Sequence, residues 1–244
     1  MVRLLCLLLA VAWPAWVSGH TLDETINVGR SVDGRTIEAR VWSLAEGVDE
    51  CVLILASIHG SEPAGTPLVG RFEAWLAEQD AATLPATIVI VPIANPDGYA
   101  RRERFNSNGV DLNRNFPAGN RTEKAKHGEA ALSEPESAAL MRVLTRFAPS
   151  RVLSLHQPIE CIDYDGPGEA LAEAMARAID DRLPVKKLGG RPGSLGSYVG
   201  QELGRPIITL ELPKGAEAGS DADGGAELWR LYGEAVIAFV RGVN

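Results

Sequence analysis

Apolar runs and segments with helical spacing alternate along the chain. The continuous runs Cys51–Ile58 and Thr87–Ile93 predict strands that are buried on both faces. Thr36–Trp42 alternates apolar and polar residues, which predicts a strand with one exposed face. Two later runs, Arg151–Leu155 and Ile207–Leu212, predict two more strands.

Four other segments repeat apolar residues at helical spacing: Pro63–Glu78, Ser133–Phe147, Gly168–Leu183 and Gly225–Val240. The second begins with Ser133-Glu-Pro-Glu136, which is typical of a capping box with proline in the first turn. Strands separated by helices predict an α/β fold with one domain, in which helices flank a mixed sheet that is parallel in its centre. Gly119–Leu132 is predicted to be a surface loop.

Composition favours an ordinary globular protein with an acidic surface. The chain has 244 residues, of which 45% are hydrophobic, which is enough for one substantial core. Its net charge of −8 argues against a nucleic-acid partner, because binding to phosphates needs clustered lysine and arginine. A small charged substrate is still compatible with this charge, since a local cationic pocket can exist on an acidic protein.

The first residues differ from the rest of the chain. Arg3 precedes the apolar run Leu4–Ala12, and small residues follow at Ser18 and Gly19, which is typical of a secretory signal peptide over residues 1–19. The run is too short to span a bilayer, so the alternative of an uncleaved anchor is disfavoured. We therefore expect one folded domain at residues 20–244 that is periplasmic or secreted, without stable membrane insertion.

Four polar residues stand at or near the ends of predicted strands: His59, Asn95, His156 and Glu211. In an open α/β sheet, ligands collect at the carboxyl ends of the strands. A single histidine in such a place is more often a hydrogen-bonded structural residue, but the group together favours a site. His59, Glu62 and His156 supply two imidazoles and one carboxylate, the ligand set of a catalytic zinc ion.

The remaining candidates suit hydrolysis of an amide. Glu211 lies in an apolar strand, where burial would raise its pKa and suit it to act as general base, although an ordinary strand glutamate is the alternative. In the polar segment Arg104–Pro117, Asn113 and Arg114 can hold a carboxylate and Arg104 can stabilise an oxyanion. A solvated charged loop explains the segment equally well on these residues alone.

These residues together resemble the zinc carboxypeptidase family of the funnelin type. The resemblance covers most of the chain after residue 19 and consists of His59-x-x-Glu62, Asn95-Pro-Asp-Gly98, Arg104, Gly109–Phe116, Ser154-Leu-His156 and Thr209-Leu-Glu211. It implies one zinc ion at His59, Glu62 and His156, with Glu211 as general base and Arg104 as the oxyanion ligand. It also implies that Asn113 and Arg114 bind the carboxylate of the substrate.

A finer similarity, in His156–Asp163 and in Pro192–Ser197 of the glycine-rich loop Gly189–Gly196, is to murein peptide amidases. These enzymes release meso-diaminopimelate from γ-D-glutamyl-meso-diaminopimelate, so a peptidoglycan-derived peptide is the expected substrate. The sequence departs from them at Gln157, where an aspartate is expected. A general metallocarboxypeptidase, an N-acyl amino acid deacylase and a non-catalytic muropeptide-binding protein are the alternatives. Arg191, Glu160 and Asp163 are candidates for reading the substrate side chain.

Overall fold

The computed structural model describes residues 21–43, 50–79, 86–216 and 225–243, so the predicted signal peptide lies outside it. Its strands are β1 Thr21–Arg30, β2 Thr36–Ser43, β3 Cys51–Ala56, β4 Thr87–Val91, β5 Arg151–His156, β6 Ile159–Asp165, β7 Val185–Lys186 and β8 Ile207–Pro213. They form one sheet in the order β1-β2-β4-β3-β5-β8-β6-β7.

The centre of this sheet is parallel, as the sequence predicts. Strands β4, β3, β5 and β8 run in one direction. Strand β2 joins β4 in the antiparallel sense at one side, and β6 joins β8 in the same way at the other. The carboxyl ends of the four central strands therefore meet at one edge of the sheet.

The helices are α1 Gly65–Glu78, α2 Pro96–Arg101, α3 Pro135–Phe147, α4 Glu169–Ala178, α5 Leu195–Ser197 and α6 Ala226–Arg241. A π-helical turn, Tyr198–Glu202, continues α5. The four predicted helices are confirmed with shifted ends, the largest shift being at α4, which stops at Ala178 instead of Leu183. Among the described residues, no helix is both long and apolar enough to cross a bilayer.

Two apolar cores cover the two faces of the sheet. On β3, Ile54 packs into the core that contains Phe72 of α1 and Phe239 of α6. Its neighbour Leu53 packs into the opposite core, with Leu140 of α3. Successive side chains of a strand point to opposite faces, and both faces are covered here. This is why the central strands are apolar at nearly every position.

Strands β3 and β4 end two residues earlier than predicted. Strand β3 stops at Ala56 because Ser57 has a φ of +52°, a left-handed conformation that ends the extended chain. Strand β4 ends at Val91. Strands β1, β6 and β7 are not predicted by the apolar pattern; β6 carries the polar sequence Ile-Glu-Cys-Ile-Asp-Tyr-Asp, which lacks the apolar run of a buried strand.

The predicted capping box at Ser133 is wrong. Glu134 is the residue that precedes α3, and no side chain caps this helix. The Ser133 hydroxyl donates to the Glu134 carboxylate instead, while the Glu136 carboxylate accepts from the amide N–H of Val32 and from Asn106. A neighbouring carboxylate thus takes the Ser133 hydroxyl, and distant donors take the Glu136 carboxylate, so neither side chain caps the helix.

The segment Gly119–Leu132 is a loop, but it is not confined to the surface. It contains the 3₁₀ turn Ala125–His127, and His127 is buried. The side-chain amide of Asn115 donates to the carbonyl groups of His127 and Ala130 and ties the loop to the site segment.

Candidate metal centre and active site

The candidate residues come to the carboxyl edge of the sheet from three central strands. His59 follows the turn that ends β3, and Glu62 lies one turn further along. His156 is the last residue of β5, and it pairs in register with Glu211 of β8. The parallel arrangement thus places the predicted ligands and the predicted base beside one another.

The loop that presents His59 and Glu62 is packed tightly on the start of α2. A Cβ atom at Gly60 would lie 1.9 Å from the carbonyl carbon of Gly98, so only glycine fits at this position. Asn95 supports the same loop: its Oδ1 accepts from the Gly98 N–H at 2.9 Å, and its amide donates to the Ile58 carbonyl group. Asn95 thus holds the loop in place and does not line the cavity of the site.

His59, Glu62 and His156 form a compact, buried group that can bind a metal ion. Nδ1 of His59 lies 3.0 Å from Oε1 of Glu62, and Nδ1 of His156 lies 2.8 Å from Oε2 of Glu62. The candidate ligand atoms are all within 4.8 Å of one another. Nδ1 of His59 is buried and makes no contact with hydrogen-bond geometry to any described residue. A buried imidazole nitrogen left free in this way fits a metal ligand, and the donor set suits zinc.

Asp111 is part of this centre, and the sequence reasoning did not assign it a role. Its Oδ1 lies 3.0 Å from Nε2 of His59, which fixes the imidazole orientation and directs Nδ1 toward Glu62. Its Oδ2 accepts from Arg104. The signal was present, since Asp111 lies inside the motif Gly109–Phe116.

Electrostatics keep the carboxylates near the histidines ionised. Burial is the largest influence on Glu62 and Asp111 and alone would raise their pKa values. Hydrogen bonds with the imidazoles outweigh burial, so the pKa of each carboxyl group lies well below its usual range. Both residues are therefore negatively charged around neutral pH, as metal coordination and imidazole orientation require.

Glu211 has a different environment. Its side chain is buried, and Oε2 accepts from the N–H of Ile159 at 3.3 Å. Among the described residues no donor contacts its other oxygen. Burial raises the pKa of Glu211, whereas hydrogen bonds to the imidazoles bring the pKa of Glu62 below its usual range. A carboxylate with a raised pKa and a free oxygen beside a metal centre suits proton transfer.

The predicted cationic residues line the same cavity, of about 340 Å³. Arg104 is held by Oε1 of Glu62 at 2.9 Å and by Asp111. The guanidinium group of Arg114 donates to the carbonyl group of Asn113, and burial lowers its pKa. The side chain of Asn113 accepts from the Leu195 N–H at the start of α5.

The substrate-reading candidates divide into two groups. Arg191 and Asp163 line the cavity, as do Gly189 and Gly196, which confirms that the glycine-rich loop lies near the site. Glu160 is exposed and lies outside the cavity lining. Ile159, Asp163 and Asp165 of β6 line the cavity and Glu160 does not, so Glu160 is not placed to read the substrate.

Gln157, the departure from the expected aspartate, joins two elements that support the site. Its Oε1 accepts from the N–H of Ala64 just before α1, and its amide donates to the carbonyl group of Pro213 at the end of β8. Its backbone N–H also approaches Oε2 of Glu62 at 3.3 Å. The amide supplies both an acceptor and a donor, which a carboxylate cannot do.

Comparison with known proteins agrees with the zinc site that the geometry indicates. The model of the zinc carboxypeptidase family matches residues 20–165. This chain belongs to the zinc carboxypeptidase family. The match includes the His–Glu–His group, Arg104, Asn113 and Arg114, whereas Glu211 lies beyond it. The chain is thus an enzyme of the metallocarboxypeptidase type.

Several of the relatives are bacterial murein peptide amidases. The chain is 33% identical over 222 residues to murein peptide amidase A of Escherichia coli K12, covering 84% of this chain and 88% of that protein. It is 31% identical over 204 residues to murein peptide amidase A of Vibrio campbellii, covering 76% and 77%. The crystal structure of murein-tripeptide amidase from Escherichia coli O157 matches with a TM-score of 0.72 and 29% identity over 91% of this chain and 94% of that one.

A carboxypeptidase of known structure shares the fold at lower identity. Carboxypeptidase A from Helicoverpa armigera matches with a TM-score of 0.72 and 22% identity, over 91% of this chain and 69% of that one. This likeness supports the zinc carboxypeptidase architecture and nothing finer.

Proposed function

We propose that this protein is a zinc-dependent amidase that releases meso-diaminopimelate from γ-D-glutamyl-meso-diaminopimelate in peptidoglycan peptides. The observation that carries the chemistry is the convergence of a His–Glu–His group, a buried glutamate and a pair of carboxylate-binding side chains in one cavity. The extended similarity to two murein peptide amidases supports the choice of substrate.

In the proposed reaction, His59, Glu62 and His156 would hold a zinc ion. Zinc in such a site polarises a carbonyl group and lowers the pKa of a water molecule to about 7. Glu211 takes a proton from the attacking water and passes it to the nitrogen of the leaving amine as the carbon–nitrogen bond breaks. Arg104 stabilises the negative charge that develops on the carbonyl oxygen.

The proposed role of Asn113 and Arg114 is to hold the α-carboxylate of the leaving residue. A guanidinium group binds a carboxylate through a planar pair of N–H donors, and a neighbouring amide adds a further donor. Binding a free terminal carboxylate makes the enzyme an exopeptidase, which removes one C-terminal residue.

The test is product analysis by mass spectrometry after incubation with the tripeptide L-alanyl-γ-D-glutamyl-meso-diaminopimelate. The expected products are free meso-diaminopimelate and the dipeptide. A tetrapeptide with D-alanine after diaminopimelate should be a poor substrate, because its terminal carboxylate belongs to the wrong residue. Faster release of lysine, leucine or phenylalanine from α-linked peptides would indicate a general carboxypeptidase. Preferential cleavage of N-acyl amino acids would indicate a deacylase.

We also propose that the enzyme is exported, on the grounds of Arg3, the apolar run Leu4–Ala12 and the small residues Ser18 and Gly19. Export would bring the enzyme to cell-wall peptides. Fractionation of cells that express the full chain, with the intact mass of the product, tests this proposal. A mature protein that begins near His20 outside the cytoplasm is expected, and a full-length cytoplasmic product would contradict it.

A further inference from the structure

Two aspartates of β6 lie in the active-site cavity without a role in the chemistry described above. Asp163 and Asp165 both line the cavity, together with Thr209 and Glu211 of the neighbouring β8. In the antiparallel pairing Cys161 lies opposite Glu211 and Asp163 opposite Thr209. At roughly 3.3 Å per residue, the two aspartates lie about 7 and 13 Å along β6 from the level of Glu211. The two aspartates therefore lie further from the carboxyl edge of the central strands than the proposed general base does.

These carboxylates are buried but only partly satisfied. Asp163 is 7% exposed and Asp165 is 9% exposed. Oδ1 of Asp163 accepts from the Leu188 N–H at 2.7 Å. Asp165 has no hydrogen-bond donor among the described residues. Burial raises the pKa of both groups, and the charge of Asp163 raises that of Asp165 further. Buried carboxylates without a partner are costly, which indicates that a ligand supplies the missing cation.

No side chain of the described residues forms an ion pair with either aspartate, although the charge of Lys187 lowers the pKa of Asp165 in part. Lys187 is exposed, and its ammonium group lies 5.1 Å from the centre of the Tyr164 ring instead of in the cavity. Arg191 lines the cavity but is itself exposed and makes no ion pair with a described residue. Arg191 lines the same cavity as Asp163, Asp165 and the proposed carboxylate clamp, and its charge lowers the pKa of Asp163.

Glycines keep the Asp165 carboxylate open to the cavity. A Cβ atom at Gly196 would lie 2.5 Å from Oδ2 of Asp165, and one at Gly190 would lie 3.3 Å from Oδ1. A larger residue at Gly196 would therefore displace or cover the carboxylate. The glycine-rich loop thus brings backbone close to Asp165 without blocking it and without donating a hydrogen bond to it.

We propose that Asp163 and Asp165 form a subsite for the side-chain ammonium group of the leaving residue, and that Arg191 binds a side-chain carboxylate of the same residue. This rests on the proposed exopeptidase function and specifies its substrate. The α-carboxylate is already assigned to Asn113 and Arg114. A further ammonium group and a further carboxylate on one side chain are the features of meso-diaminopimelate. Lysine supplies the ammonium group alone, and norleucine supplies neither.

The test compares kcat/KM for three tripeptides, L-alanyl-γ-D-glutamyl-X, in which X is meso-diaminopimelate, L-lysine or L-norleucine. In the zinc-loaded wild-type enzyme, activity should fall in that order. Asp165→Asn keeps the size of the side chain and removes its charge. It should lower the ratio of kcat/KM for the diaminopimelate peptide to kcat/KM for the norleucine peptide at least about tenfold. The reason is that a site built to pair a charged group strongly rejects analogues that lack it.

Arg191→Gln tests the second half of the proposal, in which Arg191 binds the side-chain carboxylate. It should lower the kcat/KM ratio of the diaminopimelate peptide to the lysine peptide toward one. The kcat/KM ratio of the lysine peptide to the norleucine peptide should change less. Glu160→Gln is the matched control, since Glu160 is an exposed carboxylate on the same strand outside the cavity. It should leave all three rates unchanged. Equal loss for all three substrates in Asp165→Asn would overturn the subsite and indicate a structural role.

Further measurements distinguish a wrong assignment of the murein substrate from a wrong assignment of the subsite. If the γ-linked tripeptides are not cleaved, the same ratios are measured with α-linked N-acyl dipeptides that end in lysine or norleucine. A lysine preference that Asp165→Asn removes would retain the ammonium subsite and reject the amidase assignment. If no peptide is cleaved, calorimetric binding of free meso-diaminopimelate, lysine and norleucine decides. Equal affinity for the three in the wild type would overturn the proposal.

Discussion

Asp111 lies 3.0 Å from Nε2 of His59 on the side of the imidazole that faces away from the metal centre. This contact leaves Nδ1 of the ring as the atom that faces Glu62. A carboxylate in this position orients the ring and increases its basicity, which is the arrangement that supports a histidine ligand of a metal ion.

We expect Asp111→Asn to weaken zinc binding by about 10- to 100-fold, because the amide removes the negative charge behind His59. Competition with a chelator of known affinity measures the change. Glu160→Gln, which removes an exposed charge outside the cavity, serves as the control. An unchanged zinc affinity in Asp111→Asn would show that the carboxylate does not assist the ligand.

Glu211→Gln should separate metal binding from turnover. The amide retains the shape of the side chain but cannot accept the proton from water, so kcat should fall by about 10²- to 10⁴-fold while zinc content is retained. His156→Ala is the comparison, since loss of a ligand should remove zinc and activity together. Near-normal turnover in Glu211→Gln would move the base role to another group.

Most of the fold and the metal centre could be predicted because their signals are local. The central strands are apolar throughout, and His59 and His156 stand at their ends. Strand β6 could not be predicted in the same way, since its exposed and site-facing polar residues interrupt the apolar pattern. Its antiparallel pairing with β8 places Asp163 and Asp165 in the cavity, and no local spacing indicates that pairing.

The capping residue of α3 illustrates a second reason. Ser133 and Glu136 have the spacing of a capping box, but their partners in the structure are Glu134 and Val32. The contact with Val32 crosses more than a hundred positions of sequence. A local rule cannot anticipate a side chain that a distant backbone group binds, because the two only meet after the sheet has formed.

Arg114→Gln tests the proposed carboxylate clamp. The substitution removes the charged, planar pair of donors, so kcat/KM for a substrate with a free C-terminal carboxylate should fall by about 10- to 100-fold. The same substrate with an amidated C-terminus should be poor for both enzymes. The ratio of free acid to amide is the measurement, and an unchanged ratio in the variant would reject the clamp.

The thiols give an independent check on the sheet. Cys51 begins β3 at the amino edge, whereas Cys161 lies on β6 opposite Glu211, near the carboxyl edge, and both are free cysteines. Burial raises the pKa of each thiol to about 11. Thiol titration of the native protein near pH 8 should therefore be slow, while the denatured and unreduced protein should release both thiols. A protein without free thiols after denaturation would contradict the register.

Asp165 should make the ligand-free protein less stable as the pH rises. Burial, with the nearby Asp163 charge, raises the folded-state pKa of Asp165 above its unfolded value. Between these two values the folded state binds more protons than the unfolded state, so the free energy of unfolding falls as the pH rises through that window. Above the folded-state pKa the whole penalty is present, and below the unfolded value it is absent.

Asp165→Asn removes this titration and should therefore raise the melting temperature at pH 8, with a difference from wild type that shrinks toward zero as the pH falls to about 3. Thermal unfolding across this pH range, in protein without ligand, is the measurement. Asp181→Asn, at an exposed aspartate, is the control and should show no such trend. The ammonium proposal adds a second expectation: free meso-diaminopimelate at saturating concentration should stabilise the wild type more than Asp165→Asn, because the ligand supplies the cation that the buried carboxylate lacks. Equal melting temperatures of the two proteins at pH 8 would mean that Asp165 is already neutralised within the fold.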